Sequence, residues 1–313
     1  MPDLTALVPL DGTKLSESAL SLLPFLQSLG CRRACLVSVW ESDWAEPRAT
    51  PGGGTGEMKE AAERGRAYLE AYLKLRTDAL KSSGMEVETV VRVGRAAEEV
   101  LHVARDVKAD LVLIATHGRS GVSRWRLGSV ADKIINAATC PTLVIGPNVE
   151  IKLAPYELKR IMVPLDGSEI AEEALPVARW IAETSGAGID LVRVVAPPAM
   201  AVDPMVGVYP VDLIKAMEEG ATLYLDRVAK DIGTSKPVRT QLLSGPVSEE
   251  LRRYLQANPT DLVVMTSHGR QGIVRWALGS VADRLLHGPA PVLVLRPEED
   301  GAASRLTAAA RGE

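Results

Sequence analysis

Two acid–glycine pairs and two glycine–serine pairs are the residues of this chain whose types and spacing could do chemistry. Asp11-Gly12 and Asp166-Gly167 each end the run Val-Pro-Leu-Asp-Gly. Gly128-Ser129 and Gly279-Ser280 each open the run Gly-Ser-Val-Ala-Asp. Each of these follows a His-Gly-Arg triplet, His117 to Arg119 in one case and His268 to Arg270 in the other. A carboxylate at a strand end accepts hydrogen bonds, for instance from an adenine amino group or a ribose hydroxyl. A glycine–serine pair opening a helix offers unpaired backbone N–H groups and the positive end of the helix dipole to an anion such as a phosphate. Gly118, Gly128, Gly269 and Gly279 would let a phosphate approach the backbone and would allow positive φ where a turn needs it.

Each residue also has a plainer reading. Asp-Gly is a common turn dipeptide, so Asp11 and Asp166 could serve only the turn. Ser129 to Asp132 and Ser280 to Asp283 fit a capping box with Asp in place of Glu. His117 and His268 could be hydrogen-bonded structural residues, and Arg119 and Arg270 solvated ones. Arg124-Trp125 and Arg275-Trp276 could pack the loop down or form an interface. His102 and His287 have no counterpart in the other half. Recurrence of the whole constellation after a buried strand favours the ligand reading.

The constellation recurs because the chain is a tandem repeat. Residues 116–134 and 267–285 are identical at 12 of 19 positions. The offset is 155 at Asp11/Asp166 and 151 at Gly118/Gly269, so the unlike loops after the second strand absorb the difference. A repeat of that length is a duplicated domain, not a solenoid unit. In the first half, patterning predicts strands at 4–10, 34–40, 86–93, 111–115 and 142–145. Helices are expected at 16–29, 58–81, 96–108 and 128–137, with a Pro/Gly-rich loop at 41–57. The second half gives the same order. Such alternation with apolar strands means α/β domains whose parallel sheets carry helices on both faces, with ligands beyond the carboxyl ends of the strands. The expected division is 1–146 and 159–296, a linker at 147–158 and a flexible tail at 297–313.

Composition excludes other classes. The 313 residues are 46% hydrophobic and 24% charged, with net charge −4 and a single phenylalanine, Phe25. A nucleic-acid binder would more often show a basic excess and stacking aromatics. Cys31, Cys35 and Cys140 are odd in number and form no CxxC pair, which argues against a disulfide framework or zinc site. No metal cluster is expected. The start of the chain lacks a basic and apolar leader, and no apolar run approaches the ~20 residues that span a bilayer, so a cytoplasmic location is expected. Residues 51–57, PGGGTGE, imitate a phosphate loop but lack Gly-Lys-Ser/Thr and have no second copy.

These motifs together resemble the universal stress protein family, over residues 3–146 and 158–296. The resemblance implies a tandem chain of two doubly wound domains, each a five-stranded parallel sheet of the adenine nucleotide alpha hydrolase-like fold. In the nucleotide-binding branch it implies Gly, two residues, Gly, nine residues, then Gly-Ser. The nine-residue spacing is kept here, while the first glycine is Ala115 in one half and Thr266 in the other. By the same carry-over Asp11 with Val39, and Asp166 with Val194, would flank adenine and ribose. Pro9 and Pro164 stand beside them. Gly118, Arg119, Gly128, Ser129 and Val130 would lie along the phosphates, as would Gly269, Arg270, Gly279, Ser280 and Val281. The implied ligand is ATP, with AMP and ADP as alternatives and Mg²⁺ as a companion. The expected role is nucleotide-dependent stress signalling by a homodimer of the tandem chain. A slow ATPase and a nucleotide-free interaction module are the rivals. Against an enzyme stands the absence of a Ser-Gly-Gly-x-Asp-Ser loop, a His-x-Gly-His motif or a carboxylate pair clearly placed to hold a metal. The bulkier Thr266 makes the second half the weaker expected site.

Overall fold

The computed structural model describes residues 3–41, 55–80, 84–116, 127–150, 156–196, 211–266, 279–296 and 305–312. The chain divides into two compact units, one built mainly of Met1–Leu143 and the other mainly of Glu157–Ala303.

In the first half the strands are β1 (Leu4–Pro9), β2 (Cys31–Trp40), β3 (Glu86–Val93), β4 (Leu111–Ala115) and β5 (Thr142–Ile145). Their order is β3-β2-β1-β4-β5. The pairings of β1 with β2 and β4, and of β2 with β3, are parallel. The order reverses direction beside β1, which puts the switch point between β1 and β4. The runs Ala6–Val8 and Val112–Leu113 are fully buried because a parallel sheet is covered on both faces. Strand β3 has only exposed and half-buried positions, as an edge strand does, without the regular alternation that its sequence suggests.

The helices are α1 (Lys14–Ser18), α2 (Leu23–Ser28), α3 (Thr55–Leu80), α4 (Ala96–Asp106) and α5 (Ser129–Ala137). The single helix expected over 16–29 is instead α1, a 3-10 turn at Ala19–Leu22 and α2. Pro24, in the first turn of α2, has no N–H to continue the ladder of the preceding helix. Helix α3 begins at Thr55, inside the stretch expected to be loop; residues 42–54 lie outside the described residues.

The second half repeats the plan with β6 (Arg160–Leu165), β7 (Gly188–Val195), β8 (Val238–Ser244), β9 (Leu262–Thr266) and β10 (Val292–Leu295). Their order is β8-β7-β6-β9-β10. The helices are α6 (Glu169–Glu172), α7 (Ala174–Ser185), α8 (Val211–Asp231), α9 (Val247–Ala257) and α10 (Ser280–Leu286). Within the segment expected to be a flexible tail, Arg305–Arg311 form α11, with Leu306 and Ala310 buried one turn apart. Asp110 and Asp261 are a second repeated pair, just before β4 and β9. Asp110 accepts the Thr5 N–H at 2.8 Å, and Asp261 accepts those of Lys159 and Arg160 at 2.9 and 2.8 Å. Each ties the start of the central strand to its neighbour. Among the described residues no helix is long and apolar enough to cross a membrane.

Candidate functional site

Strand β1 delivers Pro9 and Leu10 to the carboxyl edge of the sheet, where Asp11-Gly12 turn the chain toward α1. Gly12 has φ +82° and Gly167 has φ +87°, a left-handed conformation that glycine adopts without the penalty of a Cβ. Asp11 Oδ1 accepts from the Thr13 N–H at 2.9 Å and from the Thr13 hydroxyl at 2.6 Å. Asp166 Oδ1 accepts from the Ser168 N–H and hydroxyl at the same two distances. Thr13 and Ser168 in turn cap α1 and α6 through the N–H groups of Ser16 and Ala171. One carboxylate oxygen of each aspartate therefore builds the turn, as the plainer reading had it.

Strand β2 lies beside this turn. The Ser38 hydroxyl donates to the Leu10 carbonyl at 2.7 Å and is buried there. Val39 follows half-buried, and Trp40 lays its indole on α3 where Gly65 leaves room; a Cβ on Gly65 would overlap the ring. In the second half Arg193 takes the place of Ser38, beside the half-buried Val194. Its guanidinium lies over the Tyr224 ring at 4.5 Å. A Cβ built on Gly167 would come within 2.9–3.1 Å of that guanidinium, whereas one built on Gly12 meets no described atom within 4 Å.

The phosphate end is reached from β4. Ala115 and Thr116 are buried at the end of that strand, and Thr266 ends β9, also buried. His117, Gly118, Arg119, His268, Gly269, Arg270 and both Arg-Trp pairs lie outside the described residues. Gly128 is the N-cap of α5 and Gly279 that of α10. This corrects two expectations. The capping box is not formed, because Ser129 and Ser280 are already the first helical residues, and no side chain caps either helix among the described residues. The Asp132 N–H bonds back to the Gly128 carbonyl at 2.9 Å, while its carboxylate accepts from Asn136 at 3.1 Å. Nor do these glycines use positive φ. They sit at −60° and −64°, where any residue fits, so what glycine offers here is closeness of approach alone. Ser129 is exposed and Val130 half-buried at the mouth of α5; Ser280 and Val281 repeat this on α10.

A further repeated cluster escaped the sequence reading. Glu17 accepts from the Tyr72 hydroxyl at 3.0 Å and from Arg76 at 2.7 Å, joining α1 to α3. Burial, then the hydrogen bond to Glu17, pushes the Tyr72 hydroxyl up to about 12. Glu172 likewise holds Arg227 at 2.8 Å, and Arg227 lies 5.2 Å from the Tyr224 ring. The signal was present, since Glu17 and Glu172 share the 155-residue offset of the aspartates. Their partners on the long helices have no such marker. Tyr72 and Arg76 are four apart and Tyr224 and Arg227 three.

What fold and site define is a tandem α/β protein with an Asp-Gly turn and a glycine-capped helix at the carboxyl edge of each sheet. The family model for universal stress proteins matches residues 5–146 and again 157–296. The chain belongs to the universal stress protein family and carries its domain twice. A universal stress protein of Mycobacterium tuberculosis is 30% identical over 196 residues, 60% of this chain and 62% of that protein. The match thus spans less than two thirds of the relative's length. The crystal structure of a universal stress protein from Archaeoglobus fulgidus covers 95% of this chain and 97% of its own at TM-score 0.67 and 16% identity. That of a Pseudomonas aeruginosa protein covers 98% and 96% at TM-score 0.65 and 15% identity. These two likenesses are of fold.

Proposed function

We propose that the chain binds an adenine nucleotide, with ATP the expected ligand, and that occupancy alters its conformation or assembly in a stress response. The observation that carries the reading is the first half's pairing of an open Asp11-Gly12 turn with an α5 N-terminus that no described side chain caps. An uncapped helix start leaves N–H donors and a partial positive charge for an anion. At the Gly12 turn a built Cβ meets no described atom within 4 Å, which supports assigning a base and ribose to this end of the sheet. A nucleotide has both chemistries in one molecule, so the residues fit the group that the family resemblance implies. Asp11 and Val39 are assigned to base and ribose. Gly128, Ser129 and Val130, with Gly118 and Arg119, are assigned to the phosphates.

The test is isothermal titration of nucleotide-stripped protein with ATP, beside Gly128→Val. The N-cap dihedrals of −60° and 142° suit a β-branched residue, so the fold should survive at a cost of about 1 kcal/mol for the poorer cap. The isopropyl group would stand between phosphate and backbone, and binding should be lost. A folded Gly128→Val protein with undiminished ATP affinity would sink the assignment. Assembly is read by light scattering with and without nucleotide. The expected species is a homodimer of the tandem chain whose population shifts on binding.

A further inference from the structure

Helix α1 has five residues, too few to hold a place by itself, and Ser16 is its one buried residue. Polar ties therefore carry a large part of its placement. On one side α1 holds the Asp11-Gly12 turn. The Ser16 hydroxyl accepts the Asp11 N–H at 3.3 Å and donates to the Thr13 carbonyl at 2.9 Å. Thr13, the N-cap, gives both its N–H and its hydroxyl to Asp11 Oδ1. On the other side Glu17 reaches α3, where its Oε1 alone accepts from the Tyr72 hydroxyl at 3.0 Å and from Arg76 Nη2 at 2.7 Å. The second half builds the tie again. Helix α6 has four residues with Ala171 its buried one, and Glu172 Oε1 accepts from Arg227 Nη2 at 2.8 Å. Glu17 and Glu172 are 155 apart, Arg76 and Arg227 151, so the contact recurs across the drift between the halves.

We propose that Glu17 is a positioning residue for the nucleotide site: it fastens α1 to α3 and, through Thr13 and Ser16, sets the direction of the Asp11 carboxylate. This rests on the nucleotide reading above, in which Asp11 meets base and ribose. A carboxylate contributes to binding only where its oxygen lies within hydrogen-bond reach and nearly in line with the donor, and the contribution falls steeply as it is turned away. Arg76 supplies the stronger, charge-assisted tie, and Tyr72 supplies the second point that fixes the angle of α1. Without them the turn keeps its own bonds to Thr13, but α1 and the turn shift together against the sheet. What is lost is aim rather than the turn itself.

The experiment is ATP titration calorimetry on the full chain, with far-UV circular dichroism and urea unfolding of each variant. Glu17→Ala should bind ATP about tenfold more weakly than wild type. Its stability should change little, because the Glu17 and Arg76 side chains are 24% and 35% exposed. Arg76→Ala breaks the same tie from α3 and should give the same loss, and the two together should lose no more than either alone. Glu17→Gln should stay within about threefold of wild type, since its amide oxygen can accept from both partners as Oε1 does. Beside Asp11→Asn, Glu17→Ala should cost nothing further. Wild-type affinity in folded Glu17→Ala and Arg76→Ala would overturn the proposal and leave the nucleotide reading standing. So would a Glu17→Gln protein as weak as Glu17→Ala, or the full further loss from Glu17→Ala beside Asp11→Asn. No ATP binding by the wild type would overturn the nucleotide reading itself, and this inference with it.

Discussion

Replacing Asp11 by Asn and by Ala separates the turn-building oxygen of that carboxylate from the one assigned to ligand. Oδ1 accepts two hydrogen bonds from Thr13, at 2.9 and 2.6 Å, at an exposed position. At the lower end of ~0.5–1.5 kcal/mol each, their loss in Asp11→Ala costs about 1 kcal/mol. Loosening of the Thr13 cap on Ser16 can raise this to about 2 kcal/mol. For a unit of this size that is a fall of roughly 3–8 °C in the melting temperature. Asparagine can keep both bonds through its amide oxygen, so Asp11→Asn should stay within about 0.5 kcal/mol of wild type. Keeping them fixes the amide orientation. The oxygen must face Thr13, so the NH₂ group takes the place of Oδ2 and presents a donor to the adenine amino group or ribose hydroxyl. The affinity for ATP should then fall about 10- to 100-fold, corresponding to ~1.4–2.8 kcal/mol. Denaturant unfolding and calorimetric titration of both variants read the two effects independently. An Asp11→Asn protein as unstable as Asp11→Ala would refute the turn argument. One that is stable and binds ATP as wild type does would refute the ligand role of the carboxylate.

Gly65→Ala should destabilise the first half although alanine is ordinarily the better helix former by about 1 kcal/mol; overlap with the Trp40 indole costs about 1–3 kcal/mol and outweighs it. Urea unfolding followed by tryptophan fluorescence measures the difference, and a stabilised variant would contradict the packing. The raised Tyr72 hydroxyl predicts an alkaline weakness. Its protonated form is favoured in the fold, so the contribution is complete below pH 10 and is lost as pH rises toward about 12. After allowance for partial solvent exposure that contribution is about 1 kcal/mol, and Tyr72→Phe should flatten the stability profile in this window. Cys31, Cys35 and Cys140 are all buried, and burial raises the Cys31 thiol to about 11 and lifts Cys35 as well. Native protein should therefore react with an aromatic disulfide reagent far more slowly than unfolded protein at pH 8, and rapid titration of three thiols in the native state would contradict this.

The elements that sequence patterning recovered are those governed by a single strong period. Leu111–Ala115 is an uninterrupted apolar run and Leu143–Ile145 continues another after Thr142; their shortness and flanking turn signals mark them as buried strands. The helix after β1 reads as one piece in the sequence because its apolar spacing continues through Leu20, Leu23 and Leu26. Pro24 breaks the hydrogen-bond ladder without breaking that spacing. The capping box at Ser129 is a fair local match, but the helix starts one residue earlier than the motif requires, with Gly128 as its N-cap. Whether a serine is N-cap or first helical residue depends on one pair of dihedrals, which residue types do not determine.

Repetition made the site legible, and repetition alone would have made its two copies look equal. Glycine, aspartate and serine recur at fixed offsets, so an internal comparison finds them at once. Ser38 and Arg193 sit at the same offset and differ, yet a difference carries no meaning until the surroundings of each are known. Those of Arg193 include Tyr224, which α8 brings in from 31 residues beyond it. Duplicated residues thus report what the fold requires of both halves, and unlike residues at duplicated positions report where the halves are free to diverge. In this chain one such divergence stands beside the Asp-Gly turn, where Ser38 bonds to the Leu10 carbonyl and Arg193 lies over the Tyr224 ring.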